Sequence, residues 1–250
     1  MPTPHRRLAE SGASPARTSV GSAEATAARR PRPATAAEAA HQRLKQLILD
    51  NALPPGTQRL EAELALELGC SRTPVREAML RLERDGLVSV TPRHGMRVLP
   101  VSLADMRDIY DVLGSLEPKA AELLARRGLP AGELAPLHRA CDAMEAALTA
   151  GNRPAWAEAD EAFHRGLLDL CGNGRLAAMV MQVWDQAHRA RMLTLNLRPL
   201  PAASTAEHRA IMVAIAAGDG DGARELYRLH RRRGGTELMS LIERSGLAWL

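Results

Sequence analysis

The sequence predicts a mainly α chain in two parts: a helix-turn-helix carrying a small β-hairpin, then an all-helical bundle. Three observations predict it. Short amphipathic segments between residues 36 and 85 are punctuated by Pro54-Pro55-Gly56, Gly69 and Gly86, residues that stop helices. Val88 and Val90 then alternate with Ser89 and Thr91, and Pro92-Arg93-His94-Gly95 forms a turn before Met96–Leu99 returns. Beyond Pro100 only helical patterns follow. Aromatic residues make up 2% of the 250 while 46% are hydrophobic, so the core must be Leu, Ala, Val, Ile and Met, a helix-forming set.

Residues 1–34 are rich in Ala, Pro, Ser, Thr and Arg without an apolar period, which predicts a disordered arm that reads as a solvated tail, with arginines that could add nonspecific attraction for phosphate. A helix over about 36–51 presents Leu44, Leu47 and Ile48 as one stripe. A second covers about 61–68 and turns at Gly69. The third runs over about 72–85, with Ser71 as its N-cap, Pro74 in the first turn where a missing N–H costs nothing, and Gly86 just past its end. Val75, Met79, Leu82 and Leu87 form the buried side. Pro100-Val101-Ser102 marks a boundary, giving an arm at 1–34, a first domain at 35–101 and a second at 102–245. Ser102 caps the next helix.

Six helices follow, near 103–127, 131–150, 154–171, 174–195, 204–217 and 220–243. Pro118 is expected to kink the first. Asn173 reads as a cap, Ser204-Thr205-Ala206-Glu207 as a capping box, and Asp219-Gly220-Asp221-Gly222 as a turn and cap without the further ligands of a calcium loop.

The net charge of +4 suits a polyanionic partner, while the scarcity of aromatics argues against base-stacking platforms for single strands or RNA. Three unpaired-looking cysteines, Cys70, Cys141 and Cys171, are no disulfide framework and point to a reducing compartment. No apolar run approaches a membrane span and no secretory segment is recognisable, so the expected location is the cytoplasm.

Two constellations carry chemistry. In the first, Arg72 and Arg76 lie four apart on one helix face with Thr73 beside them, and Arg93, His94 and Arg97 charge the hairpin. Guanidinium groups hold phosphates or take guanine in bidentate fashion, and a basic hairpin tip can enter a minor groove. Singly, each arginine also reads as a solvated surface charge. In the second, Asp160 and His164 share a helix face at i, i+4, with His208 and His230 on two later helices. Three imidazoles and a carboxylate suit Zn²⁺, Ni²⁺ or Mn²⁺ with positions left open. Each histidine equally reads as a polar or capping residue. Such a centre also suits hydrolysis, but Glu161, the one nearby base, points to another helix face.

Leu-Gly-Cys-Ser-Arg-Thr-Pro-Val-Arg-Glu-Ala (68–78), preceded by Leu53-Pro54-Pro55-Gly56 and followed by Asp85-Gly86-Leu87-Val88, resembles the winged helix-turn-helix of GntR-type bacterial transcription regulators. That resemblance implies operator DNA contacts by Arg72, Thr73, Arg76, His94 and Gly95, and Ser71 at the helix start and Arg93 on the charged hairpin join them as candidate DNA-binding residues. Ala62 departs from it, since many relatives carry arginine there; Arg59 is the candidate replacement. Asp160-Glu161-Ala162-Phe163-His164, Cys171-Gly172-Asn173, Glu207-His208-Arg209-Ala210-Ile211 and His230 resemble the FCD effector domain of the FadR subfamily.

The second resemblance implies a divalent metal on Asp160, His164, His208 and His230, a small carboxylate or sugar-acid effector, a homodimer, and a repressor rather than an enzyme. Leu113 stands where many relatives carry an arginine, so Arg189 and Arg191 become the candidate effector anchors. His41, His138 and His188 match no ligand position and read as surface residues.

Overall fold

The computed structural model describes residues 35–244. The arm expected at 1–34 lies outside them. α1 (Ala36–Leu49) opens with a capping box: the Thr35 hydroxyl accepts from the Glu38 amide at 3.2 Å and the Glu38 carboxylate from the Thr35 amide at 2.7 Å. α2 (Glu61–Glu67) and α3 (Arg72–Arg84) flank the turn at Gly69, whose φ of +64° favours glycine. Ser71 has the extended backbone of an N-cap. Contrary to expectation, its hydroxyl makes no capping bond among the described residues.

Two further strands close the first part. β2 (Val88–Thr91) and β3 (Gly95–Val98) pair antiparallel, Val88 opposite Val98 and Thr91 opposite Gly95. β1 (Gln58–Arg59) adds a third strand on the far side of β3. Two residues cannot display an alternating pattern, so β1 was not expected. Leu44, Ile48, Leu64, Val75, Leu82, Leu87 and Val98 are fully enclosed in this core.

A separate apolar core begins at Val101. It is built by α4 (Leu103–Arg127), α5 (Ala131–Thr149), α6 (Arg153–Leu170), α7 (Gly174–Leu193), a 3₁₀ turn (Leu195–Leu197), α8 (Ala202–Ala216) and α9 (Gly220–Arg244). Ser102, Asn152 and Asn173 cap α4, α6 and α7 through side-chain oxygens. α4 packs along α9 and touches α6, α7 and α8. It runs through Pro118 as one unbroken helix.

α8 begins two residues earlier than expected, and the capping-box reading is corrected. Ser204 and Thr205 are buried inside the helix, and the Thr205 hydroxyl accepts from the Trp156 indole N–H at 2.9 Å. Among the described residues no helix is long and apolar enough to cross a membrane.

Candidate nucleic-acid interface and metal centre

α3 buries Val75, Ala78, Met79 and Leu82 against α1 and the hairpin, which leaves Arg72, Thr73 and Arg76 exposed. Ser71, Arg93 and His94 are exposed too. Arg72, Arg76, Arg93, Gly95 and Ala62 line one groove between α3 and the wing. Gly95 is needed for its shape: at a φ of +79°, any Cβ there would run into the Arg59 carbonyl. Arg59 itself is drawn toward Glu67, 3.7 Å away, and does not line this groove. The surface is a groove with three arginines on its walls, between a helix start and a hairpin tip.

In the bundle, α6, α8 and α9 bring the second constellation together. Nitrogens of His164, His208 and His230 lie within 4.8 Å of one another. His164 Nε2 is 3.3 Å from His208 Nε2, and Asp160 Oδ1 is 3.5 and 3.6 Å from these two nitrogens. Donor atoms about 2.1 Å from one metal ion are spaced by roughly 3.0–3.4 Å, a spacing that Asp160, His164 and His208 approach, while His230 stands within 4.8 Å of the other two rings.

The outer nitrogens of His164 and His230 have partners, while His208 Nδ1 has none among the described residues. The Tyr227 hydroxyl donates to Glu117 at 3.2 Å, and His164 Nδ1 lies 2.5 Å from that hydroxyl and 3.1 Å from Arg231 Nη2. His230 Nδ1 donates to Glu207 at 2.8 Å. The His230 ring is thus oriented with Nε2 as a lone pair, the arrangement that metal-binding histidines require. Three imidazoles and a carboxylate brought this close have the donor chemistry of a divalent-metal site.

Electrostatics agree. Burial, helped by Arg231 beside His164 and by His230 beside His208, holds both rings well below the ordinary histidine range, so they are neutral. Burial also outweighs the Glu207 contact and lowers His230. Asp160 is held well below the ordinary carboxylate range despite its burial, through its contact with the His164 ring and through Arg191, 3.7 Å away. Beneath the rings, Arg231 pairs with the fully buried Glu117, Nη2 donating to Oε1 at 2.6 Å.

A pocket opens beside this cluster, with Asp160, His164, His230, Arg191, Arg198 and Tyr110 among its walls. Arg191 lies over the Trp184 ring at 4.8 Å and stands 3.7 Å from Asp160. Its Nη2 and the Nε of Arg198 are buried donors without a partner among the described residues.

Three expectations change. Arg189 is not in this pocket: two residues from Arg191, it projects about 200° away round the helix and donates through Nη1 to the Leu99 carbonyl at 2.7 Å. His188 is no plain surface residue; it lines the pocket and faces Glu161 at 3.5 Å. His41 is part-buried and bonds Asp85 at 2.9 Å. Arg198, Tyr227, Glu117 and Glu207 were missed. Glu207 lies both in the capping-box stretch and in the FCD-like stretch Glu207–Ile211, where only its neighbour His208 is given a role.

Residues 36–98 match the bacterial regulatory proteins of the gntR family, and residues 108–233 match the FCD domain. This chain belongs to the GntR family. An HTH-type transcriptional regulator of Agrobacterium vitis, from the TAR-I ttuE-ttuC' intergenic region, is 46% identical over 132 residues, 52% of this chain and 77% of its own length. The HTH-type transcriptional repressor GlaR of Escherichia coli is 30% identical over 73% of this chain and 88% of its own. The solved structure of E. coli McbR/YncC superposes with a TM-score of 0.72 at 23% identity, over 83% of this chain and 99% of that one, a likeness of fold.

With a GntR domain followed by an FCD domain, the protein has the architecture of the FadR subfamily. It is a DNA-binding transcriptional regulator, and its family is not one of enzymes. The small sheet of the GntR regulator is the wing of its winged helix.

Proposed function

We propose that this GntR regulator is a repressor whose operator affinity is set by a small carboxylate or sugar-acid effector bound beside a divalent metal. The observation that carries the reading is the convergence of Asp160, His164, His208 and His230 next to two unspent buried guanidinium donors, Arg191 Nη2 and Arg198 Nε. A metal there, Zn²⁺, Ni²⁺ or Mn²⁺, supplies a Lewis-acidic position for an effector oxygen. Arg191 and Arg198 bind and orient the acid's other oxygens by charge-assisted hydrogen bonds, and Trp184 holds Arg191 in place by stacking. These cations stand in for the arginine that Leu113 replaces.

On the DNA side, Arg72, Thr73 and Arg76 reach base edges and phosphates in the major groove, Ser71 meets a phosphate, and Arg93, His94 and Gly95 form the tip at the neighbouring groove. Two copies on half-sites one helical turn apart multiply these contacts, so the working form is a homodimer. The repressor sense follows that of the E. coli relative. Such a protein works in the bacterial cytoplasm, where its operator lies.

The test is a thermal-shift screen of small carboxylates and sugar acids on metal-loaded and metal-stripped protein, with elemental analysis of the protein as purified. Metal near one equivalent per chain and a metal-dependent upward shift by at least one acid are expected, because a ligand of the native state raises apparent stability by mass action. Metal-free protein that takes up none of the three ions, together with no acid shifting it, overturns the reading.

A further inference from the structure

We propose that the cavity between the winged helix and the bundle is a second ligand site, which takes a small oxyanion on the side edge of Arg189. The cavity is about 180 Å³ and is walled by the linker residues Leu99, Pro100 and Val101, by Gln186 and Arg189 of α7, and by Asp105 at the start of α4. Its volume holds an ion the size of acetate or phosphate.

Arg189 is 1% exposed. Nη1 is spent on the Leu99 carbonyl at 2.7 Å, while Nε and Nη2 are both buried and meet no acceptor among the described residues. These two N–H groups form one edge of the planar guanidinium, two parallel donors at the spacing of two oxygens on a carboxylate, phosphate or sulfate. Burial lowers this guanidinium to about 10, with no carboxylate offsetting it. A buried cation without a counter-charge is strongly unfavourable, so the geometry calls for an anion.

The neighbours do not supply one. Gln186 spends its amide N–H on the Asp85 carbonyl at 3.0 Å, which makes it wall rather than ligand. Asp105 is exposed at the rim and forms no ion pair with Arg189 among the described residues. The same guanidinium already ties α7 to the linker through Leu99. An oxyanion on its free edge sits where the DNA-reading and sensing parts meet, apart from the pocket that Arg191 lines.

Crystals of the full chain soaked in selenate test this directly. An anomalous peak within hydrogen-bond distance of Arg189 Nε and Nη2 is expected, together with a saturable sulfate or phosphate site by calorimetry at constant ionic strength. Arg189→Lys keeps the charge but removes the fork and weakens that site about tenfold or more. Arg191→Gln leaves it in place. Competition separates the sources: displacement of selenate by acetate but not phosphate assigns a carboxylate ligand, and the reverse assigns an inorganic oxyanion. No peak at Arg189, affinity unchanged in Arg189→Lys, or Asp105 turned in onto the guanidinium in selenate-free crystals overturns the proposal. So does a peak with no saturable site in solution, which means an adventitious ion only.

Discussion

In the winged helix the charged residues proposed to meet a ligand, Arg72, Arg76 and Arg93, stand in solvent over an apolar core. In the bundle Glu117, Asp160, His164, His208 and Arg231 are enclosed within the core itself. The first arrangement separates chemistry from folding, since an exposed arginine can change without disturbing what lies beneath it. The second joins them, because each buried charge needs its partner for the fold as well as for any ligand.

The largest effect should come from stranding a buried charge. Arg231→Leu leaves Glu117, 0% exposed, with the Tyr227 hydroxyl as its remaining hydrogen-bond partner, and should cost about 3–5 kcal/mol in urea unfolding. A loss below about 1 kcal/mol would mean that the buried pair is not coupled to the fold. Metal comes next. Ions at 100 to 1,000 times the dissociation constant stabilise a native state by about 2.7–4.1 kcal/mol. Chelation should remove stability on that scale and re-addition should restore it. His164→Ala should be indifferent to the chelator and carry no stoichiometric metal by elemental analysis.

Arg76→Ala sharpens the contrast from the other side. It should weaken operator binding by about 1–3 kcal/mol in a gel-shift titration if it reads a base. Unfolding should move by no more than about 0.5 kcal/mol, as for other surface changes. Unchanged operator affinity would take Arg76 out of the interface, and a large loss of stability would erase the distinction between the two regions.

How much of this was legible in the sequence follows the same divide. Helix ends could be read because Gly69, Gly86, Gly128 and Gly218 take a positive φ at or beside them, a local requirement. The exposed face of α3 could be read because the i, i+4 relation of Arg72 and Arg76 is local as well. The metal-type cluster was legible by residue identity but not by its supports. Glu117 and Arg231 meet across 114 positions, and His164 and Tyr227 across 63, so no window along the chain contains either pair. The Ser204–Glu207 stretch misled for a related reason: a local motif was overridden when Thr205 found Trp156 and Glu207 found His230 and Arg233. Arg189 and Arg191 were grouped by proximity in sequence, although a two-residue step along a helix turns side chains nearly opposite ways.

The smallest effect separates two serines that look alike in sequence, each directly before a helix. The Ser102 hydroxyl accepts from the Asp105 amide at 3.0 Å and satisfies one orphan donor of α4, so Ser102→Ala should cost about 1 kcal/mol of stability. The Ser71 hydroxyl makes no such bond, so its removal takes nothing from the folded state that the unfolded chain does not also lose. Ser71→Ala should therefore leave the urea midpoint in place and, if the hydroxyl meets a phosphate, weaken binding equally for operator and nonspecific DNA. Equal destabilisation by the two substitutions would show that Ser71 caps α3 in solution. The start of the recognition helix would then be part of the fold rather than free for the duplex.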